Sequence, residues 1–401
     1  MQTSPEPSPP SRTSGAGSDR VPDGSRPHWM AWMDRSGQVS WGEYRTPNRS
    51  SSRSSGSMWT PGRGTMCATP SGSRFAADRG GGLRESCLMI IDAQTRIWPS
   101  VDHLGRESAD IARRRQAARW IQDSAEPNQL EAALDPIDAA LVFGYRSVRQ
   151  DACIANEWVA EVVGRSRGRL IGVAGIDPMS TDAIEELDRA MDMGFVGITV
   201  CPSDQGFHPT NSAAMRIWER CQHLGLPIFV SRPGPPCPGS ILDFDRPLNW
   251  DEVARSIPEL SIVLGGIGTP WVEETLLLLQ KHPRIFADTA GLVERPWQLF
   301  QALLGASSKG VTDKLLFASG WPTESPAKAI ETIYSVNGFS HGTQLPSIPR
   351  PELSSIVERD LPTVLGMPIA PGRQADTSPT TLADGDPTTT TAERGSNLDE
   401  I

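Results

Sequence analysis

Three arginines stand where a chain of alternating strands and helices would present its chemistry. Arg96, Arg146 and Arg232 each fall just after a short apolar run. A guanidinium fork carries five donors and no acceptor, and it pairs bidentately with a carboxylate or another oxyanion. The three arginines therefore read in one of two ways. They form a pocket for a small anionic or carboxylate ligand, or they make internal ion pairs with Asp92 or Asp177 as partners. Cys201 occupies a comparable place. It could act as a nucleophile if a neighbouring arginine lowered its pKa, but no histidine is placed to serve as its base, and an inert thiol is the plainer reading. Trp98, Trp271 and Trp321 either line a ligand pocket or fill the core.

Metal chemistry has little to draw on. The six histidines, His28, His103, His208, His223, His282 and His341, fall in tails, loops and helices, and none stands at the immediate end of a proposed strand. A hydrolytic metal centre needs about three or four converging His, Asp, Glu or Cys ligands. The strand ends offer Cys201 and Asp92. The glycine-rich run from Leu264 to Gly268 lacks the lysine of a phosphate-binding loop, so it reads as a tight strand-to-helix turn. Asp288 reads as a structural hydrogen-bonding group near the same rim.

The elements that must position these residues are short apolar runs bounded by turn residues. They are Leu88–Asp92, Ala139–Phe143, Leu170–Ala174, Val196–Val200, Pro227–Ser231, Ser261–Gly265, Ile285–Asp288 and Lys314–Ser319. Runs of this kind suit strands buried on both faces. Helical spacing recurs between them, as in Ala183, Ile184, Leu187, Ala190 and Met191, in Ala214, Ile217, Trp218 and Cys221, and in Val272, Leu276 and Leu279. Gly194 and Gly225 end two of these helices. Eight such strands with helices between them predict a closed (β/α)8 TIM barrel, with its site at the C-terminal strand ends. A doubly wound open sheet would need a glycine-rich turn after the first strand, and the run from Asp92 to Pro99 is not one.

Composition frames the barrel. The net charge of −10 argues against a nucleic-acid or anionic-membrane partner. No run of about 18 apolar residues appears, so no membrane span is expected. The first residues lack the apolar core of a secretory signal, which predicts a cytoplasmic protein. The six cysteines include no CxxC pair and fit free thiols. Residues 1–86 are rich in Ser, Gly, Arg and Pro, and carry 11 arginines against 7 acidic residues. Such a segment is expected to be disordered. A basic binding arm is an alternative, and a natural start at Met89 is another. Residues 87–367 form the predicted barrel, and residues 368–401 a second disordered tail.

The string from Ile91 through Asp92, Gln94, Arg96 and Trp98 to Pro99 resembles the opening of amidohydrolase-related proteins, which include aminocarboxymuconate semialdehyde decarboxylases and pyrone dicarboxylate hydrolases. Further matches follow in order. They include Arg169 to Ala174 with Asp177-Pro178, Gly194 to Ile198, Leu224 to Pro227, Ile262 to Gly265 before Gly268, His282-Pro283 before Asp288, and Leu315 to Ser319 before Trp321-Pro322. The resemblance covers about residues 88–366 and implies a barrel that uses a divalent metal such as zinc for hydrolysis or decarboxylation.

It also implies where that metal would be held, and this chain departs at each place. The family's His-x-His pair falls on Gln94 and Arg96, its strand-five histidine on Ser231, its strand-six histidine on Gly266 and its strand-eight aspartate on Gly320. Some relatives use a lysine on strand four, whereas the first lysine here is Lys281. Gln94 offers a weak neutral oxygen, Ser231 is a poor ligand while protonated, and a glycine offers no side chain. A guanidinium at position 96 would repel a cation by about 4 kcal/mol per unit charge at about 4 Å and an effective dielectric of about 20. The expectation is therefore a barrel without a catalytic metal or other cofactor, acting as a pseudoenzyme, an anion-binding protein or a partner subunit, as a homodimer or with an active relative. Two alternatives remain open. One is an active hydrolase or carboxy-lyase with a non-standard centre, which would bring His103, His208 and Cys201 together. The other is metal-independent chemistry by Cys201 with Arg96.

Overall fold

The structure is a computed structural model, in which residues 89–114 and 122–367 are described. Eight strands run parallel: β1 Ile91–Arg96, β2 Ala139–Phe143, β3 Leu170–Gly175, β4 Ile198–Val200, β5 Ile228–Val230, β6 Ile262–Leu264, β7 Ile285–Asp288 and β8 Leu315–Leu316. Each pairs with the next in chain order. The ring closes where Ala93 N donates to Phe317 O at 2.8 Å and Arg96 N donates to Trp321 O at 3.0 Å. This is the (β/α)8 barrel that the eight apolar runs predict.

Burial explains the strand composition. Ala139, Leu141 and Phe143 face the barrel interior, while Ala140 and Val142 pack outward with the helices. Both faces are dry, so alternate residues on both sides are apolar. The main helices between strands are α1 Asn156–Arg165, α2 Ala183–Asp192, α3 Ser212–Leu224, α4 Val272–Lys281, α5 Pro296–Lys309 and α6 Pro326–Ser335. In α3, Ala214, Ile217, Trp218 and Cys221 form the buried stripe expected from their spacing. Gly225 ends that helix in the left-handed conformation at φ 68°. A short helix at Leu361–Leu365 covers the end where strands begin: Ser261 Oγ and Arg284 Nη2 both donate to Leu365 O. The opposite end is left for the site.

Three features differ from the sequence-based expectation. The first strand begins at Ile91 rather than Leu88 and runs on to Arg96. Its register with β2 shifts between Asp92 and Thr95: Asp92 pairs with Ala140 and Thr95 with Val142. This bulge lets Ile91 and Ala93 face inward and then Gln94 and Arg96 as well, which strict alternation would forbid. Second, a small antiparallel hairpin, Tyr145–Ser147 with Ala152–Ile154, follows β2. Third, the last strand is only two residues long. Residues 1–86 and 368–401 lie outside the described residues, and so do the expectations made for them. No helix among the described residues is long and apolar enough to cross a membrane.

Candidate functional site

The five positions where the family's ligands are expected come together. Gln94, Arg96, Ser231, Gly266 and Gly320 all line one cavity of about 710 Å³ at the C-terminal strand ends. They arrive there from β1 and from the turns after β5, β6 and β8.

Arg96 is the best-defined group in it. Its side chain is inside the barrel, and the residue is 4% exposed. Nη2 donates to Ser231 Oγ at 2.9 Å and to Ser231 O at 3.2 Å, while Nη1 donates to Arg232 O at 3.2 Å. The guanidinium lies 5.2 Å from the centre of the Phe143 ring, close enough for a cation–π contact. Phe143 in turn leans on Phe229 at 5.0 Å. Among the described residues Arg96 makes no ion pair. Burial pulls its pKa down to about 10, which leaves it charged at neutral pH. Nε is buried with no partner.

Gly266 and Gly320 are shaped by backbone as well as by composition. Gly266 has φ 58°, and a Cβ there would lie 2.8 Å from Ala290 O. Gly320 has φ 71°, with Gly291 N at 3.2 Å from a Cβ position. An L side chain is strained at both. The turn at Gly266 is held by Asp288, whose Oδ1 accepts from Gly266 N and Ala290 N, each at 2.9 Å. Burial raises Asp288 to about 6. Asp92 behaves similarly: its Oδ1 accepts from Gln94 N at 3.1 Å and from Ser319 N at 3.0 Å, and burial raises it to about 7. Both carboxylates tie strand ends together, and among the described residues neither pairs with an arginine.

The other singled-out residues divide. Arg232 lines the cavity and pairs with Asp245, with Ser203 Oγ at 3.0 Å as a further acceptor. Trp98 and Trp321 also line it. Trp271 does not, because it sits at the start of α4, beyond the turn that forms the wall. Arg146 is outside as well. It lies in the hairpin, where Nη2 meets Asp182 Oδ1 at 3.0 Å and Nη1 lies 3.8 Å from Glu186. The expected partner Asp177 instead accepts backbone N–H groups from Val148 and Met179. Cys201 lines the cavity but is fully buried, and burial, followed by the charges of Asp204 and Asp245, pushes its thiol well above the ordinary range. Burial of this kind favours the protonated thiol over the thiolate. His103 bonds to Ser100 O, and His208 to Thr210 with its ring against Phe244. Neither joins Cys201 at the cavity, and among the described residues no three His, Cys, Asp or Glu side chains group in a way that could hold a metal.

Sequence reasoning missed Asp245, Glu294 and Arg295, all of which line the cavity. Glu294 and Arg295 lie in the turn after β7, just before Pro296 opens α5. A helix-opening proline was the available signal for that loop. The seat that Phe143 provides for Arg96 had no sequence signal at all.

A closed parallel barrel with its pocket at the C-terminal strand ends places the chain among (β/α)8-barrel proteins. Within that class it belongs to the amidohydrolase family: the family model described as amidohydrolase matches residues 91–343. The fold is similar to that of an uncharacterised TIM-barrel protein from Bordetella bronchiseptica, at 18% identity and TM-score 0.52, over 69% of this chain and 99% of the other. It is similar to an amidohydrolase from Burkholderia multivorans with bound zinc, at 13% identity and TM-score 0.54, over 70% and 100% of the two chains. A dihydroxybenzoic acid decarboxylase from Polaromonas sp. JS666, with bound manganese and 2-nitroresorcinol, aligns at 17% identity and TM-score 0.51, over 69% and 97%. At such identities the likeness establishes the fold. No curated protein matches the sequence.

Proposed function

We propose that this chain is a metal-free member of the amidohydrolase family whose barrel mouth binds a carboxylate or similar anionic group on Arg96. The observation that carries the reading is that buried guanidinium, fixed on Ser231, Arg232 and Phe143, facing a cavity and making no ion pair among the described residues. Zinc and manganese are bound in two solved structures of similar fold, and such an ion in general can polarise a substrate and activate water. The donor set here does not fit such an ion. Arg96 has no lone pair to give and carries its own positive charge, Ser231 Oγ is occupied in accepting from it, and Gly266 and Gly320 bring only backbone. The same charge that disfavours a cation favours an anion, and a preformed, desolvated guanidinium binds one with little further ordering.

Two measurements test this together. Protein purified from medium supplemented with zinc, manganese and iron is analysed for metal, and substoichiometric content is expected. Carboxylate binding is followed by thermal shift. A ligand at about 100 times its Kd contributes about 2.7 kcal/mol and raises Tm by several degrees. Stoichiometric metal lost on Gln94 or Ser231 substitution, or thermal shifts that survive Arg96→Gln, defeat the proposal.

A further inference from the structure

The anion-binding reading says nothing about the rest of the ligand, and the cavity does. Its volume is about 710 Å³, in the range of about 300–1,000 Å³ that encloses drug-sized molecules. An acid of two or three carbons would leave most of it to water. Part of its wall is stiff and apolar, where Trp98 and Trp321 face it along with Pro233, Pro235, Pro270 and Pro322, while Gln94, Thr269 and Thr323 add polar groups elsewhere. Neither ring type needs to order on binding, so apolar contact made there is not offset by lost side-chain entropy.

One buried cation without an ion pair among the described residues faces it. Arg232 lines the wall but is already paired with Asp245. Glu294 and Arg295 are adjacent at the exposed rim and opposite in sign, so the mouth adds no net charge. Asp92 and Asp288 lie behind the lining, with their Oδ1 atoms on backbone N–H groups. Arg96 is left as the single cation at the floor. A second anionic group on the ligand would find no other unpaired cation at the floor; Arg295, which also makes no ion pair among the described residues, lies at the exposed rim, where solvent screens its charge.

We propose that the cavity takes a monoanion with a large apolar body: one carboxylate on Arg96 and an alkyl or aryl portion of roughly seven to twenty heavy atoms against the tryptophan and proline walls. The inference rests on the anion-binding reading and adds the class of ligand to it.

The test is calorimetric titration of the full chain with acetate, butyrate, hexanoate and octanoate, and with octanamide as the uncharged control. Each added methylene is expected to tighten binding about fourfold, so octanoate should exceed butyrate by roughly a hundredfold or more. Octanamide should bind at least about tenfold more weakly than octanoate, because it forfeits the charge-assisted bonds. Trp321→Ala should weaken octanoate binding and leave acetate unchanged. Affinity that is flat across the series, or a Trp321→Ala effect equal for acetate and octanoate, overturns the inference and leaves the anion reading standing. Octanamide binding as tightly as octanoate, or no binding by any acid, overturns both.

Discussion

Replacing Arg96 with methionine separates a binding role from a structural one, because the two contributions to stability nearly cancel. Burial lowers the guanidinium from 12.5 to about 10. A depressed pKa on a base means the folded state holds the proton less tightly than the unfolded one. The resulting cost is therefore fully present at neutral pH, below both values, and amounts to about 3 kcal/mol. Against it stand three hydrogen bonds, to Ser231 Oγ, Ser231 O and Arg232 O, and the contact with Phe143. At about 1 kcal/mol each these return about 4 kcal/mol. Methionine removes both sides and keeps an apolar stem against the ring. Arg96→Met should thus unfold in urea within about 2 kcal/mol of the parent protein, while octanoate binding falls below detection. Stability lower by more than about 4 kcal/mol would mean that Arg96 is a structural strut. Octanoate binding that persists in the variant would refute the role assigned to the guanidinium.

Asp92→Asn should flatten the pH dependence of stability. Burial raises this carboxyl from 3.8 to about 7, so its favourable contribution is complete below about 3.8 and is lost as pH rises through about 7. Between pH 5 and pH 8 the asparagine variant should gain on the parent by on the order of 2–3 kcal/mol in urea unfolding, and a constant difference would contradict the assignment. Gly266→His restores a family residue type but forces a side chain into the left-handed region against Ala290 O; a loss of about 1–3 kcal/mol and no gain of zinc are expected by calorimetry and metal analysis. Native protein should leave Cys201 unalkylated by iodoacetamide at pH 8 and label it only after denaturation, as peptide mapping would show, because the thiol is buried and its pKa is high. Arg146→Ala should leave octanoate affinity unchanged within twofold and lower stability by about 1 kcal/mol, since its partners Asp182 and Glu186 lie outside the cavity.

Much of the fold is legible along the chain because a strand buried on both faces reads as an unbroken apolar run. Ala139–Phe143 and Ile285–Asp288 match their strands to the residue. Boundaries drifted where turn residues gave no sharp stop, as at β1 and β8. The convergence of Gln94, Arg96, Ser231, Gly266 and Gly320 on one cavity was also readable, because barrel topology sends every strand's C-terminal end to the same rim. Arg146 and Trp271 show the limit of that logic: proximity to a strand end in sequence does not aim a side chain inward, and the hairpin after β2 carries Arg146 to Asp182 instead.

Residue types alone determined what the rim is made of. Guanidinium, amide, hydroxyl and bare glycine have fixed donor and acceptor properties in any fold. Whether those groups face a ligand, each other or the core was decided by the tertiary structure. The bulge in β1 turns both Gln94 and Arg96 into the barrel, and Asp245, 13 residues beyond Arg232, returns to pair with it and leaves Arg96 as the buried cation at the cavity floor that makes no ion pair among the described residues. Charge balance depends on distances between segments far apart in the chain, and local sequence holds no record of them.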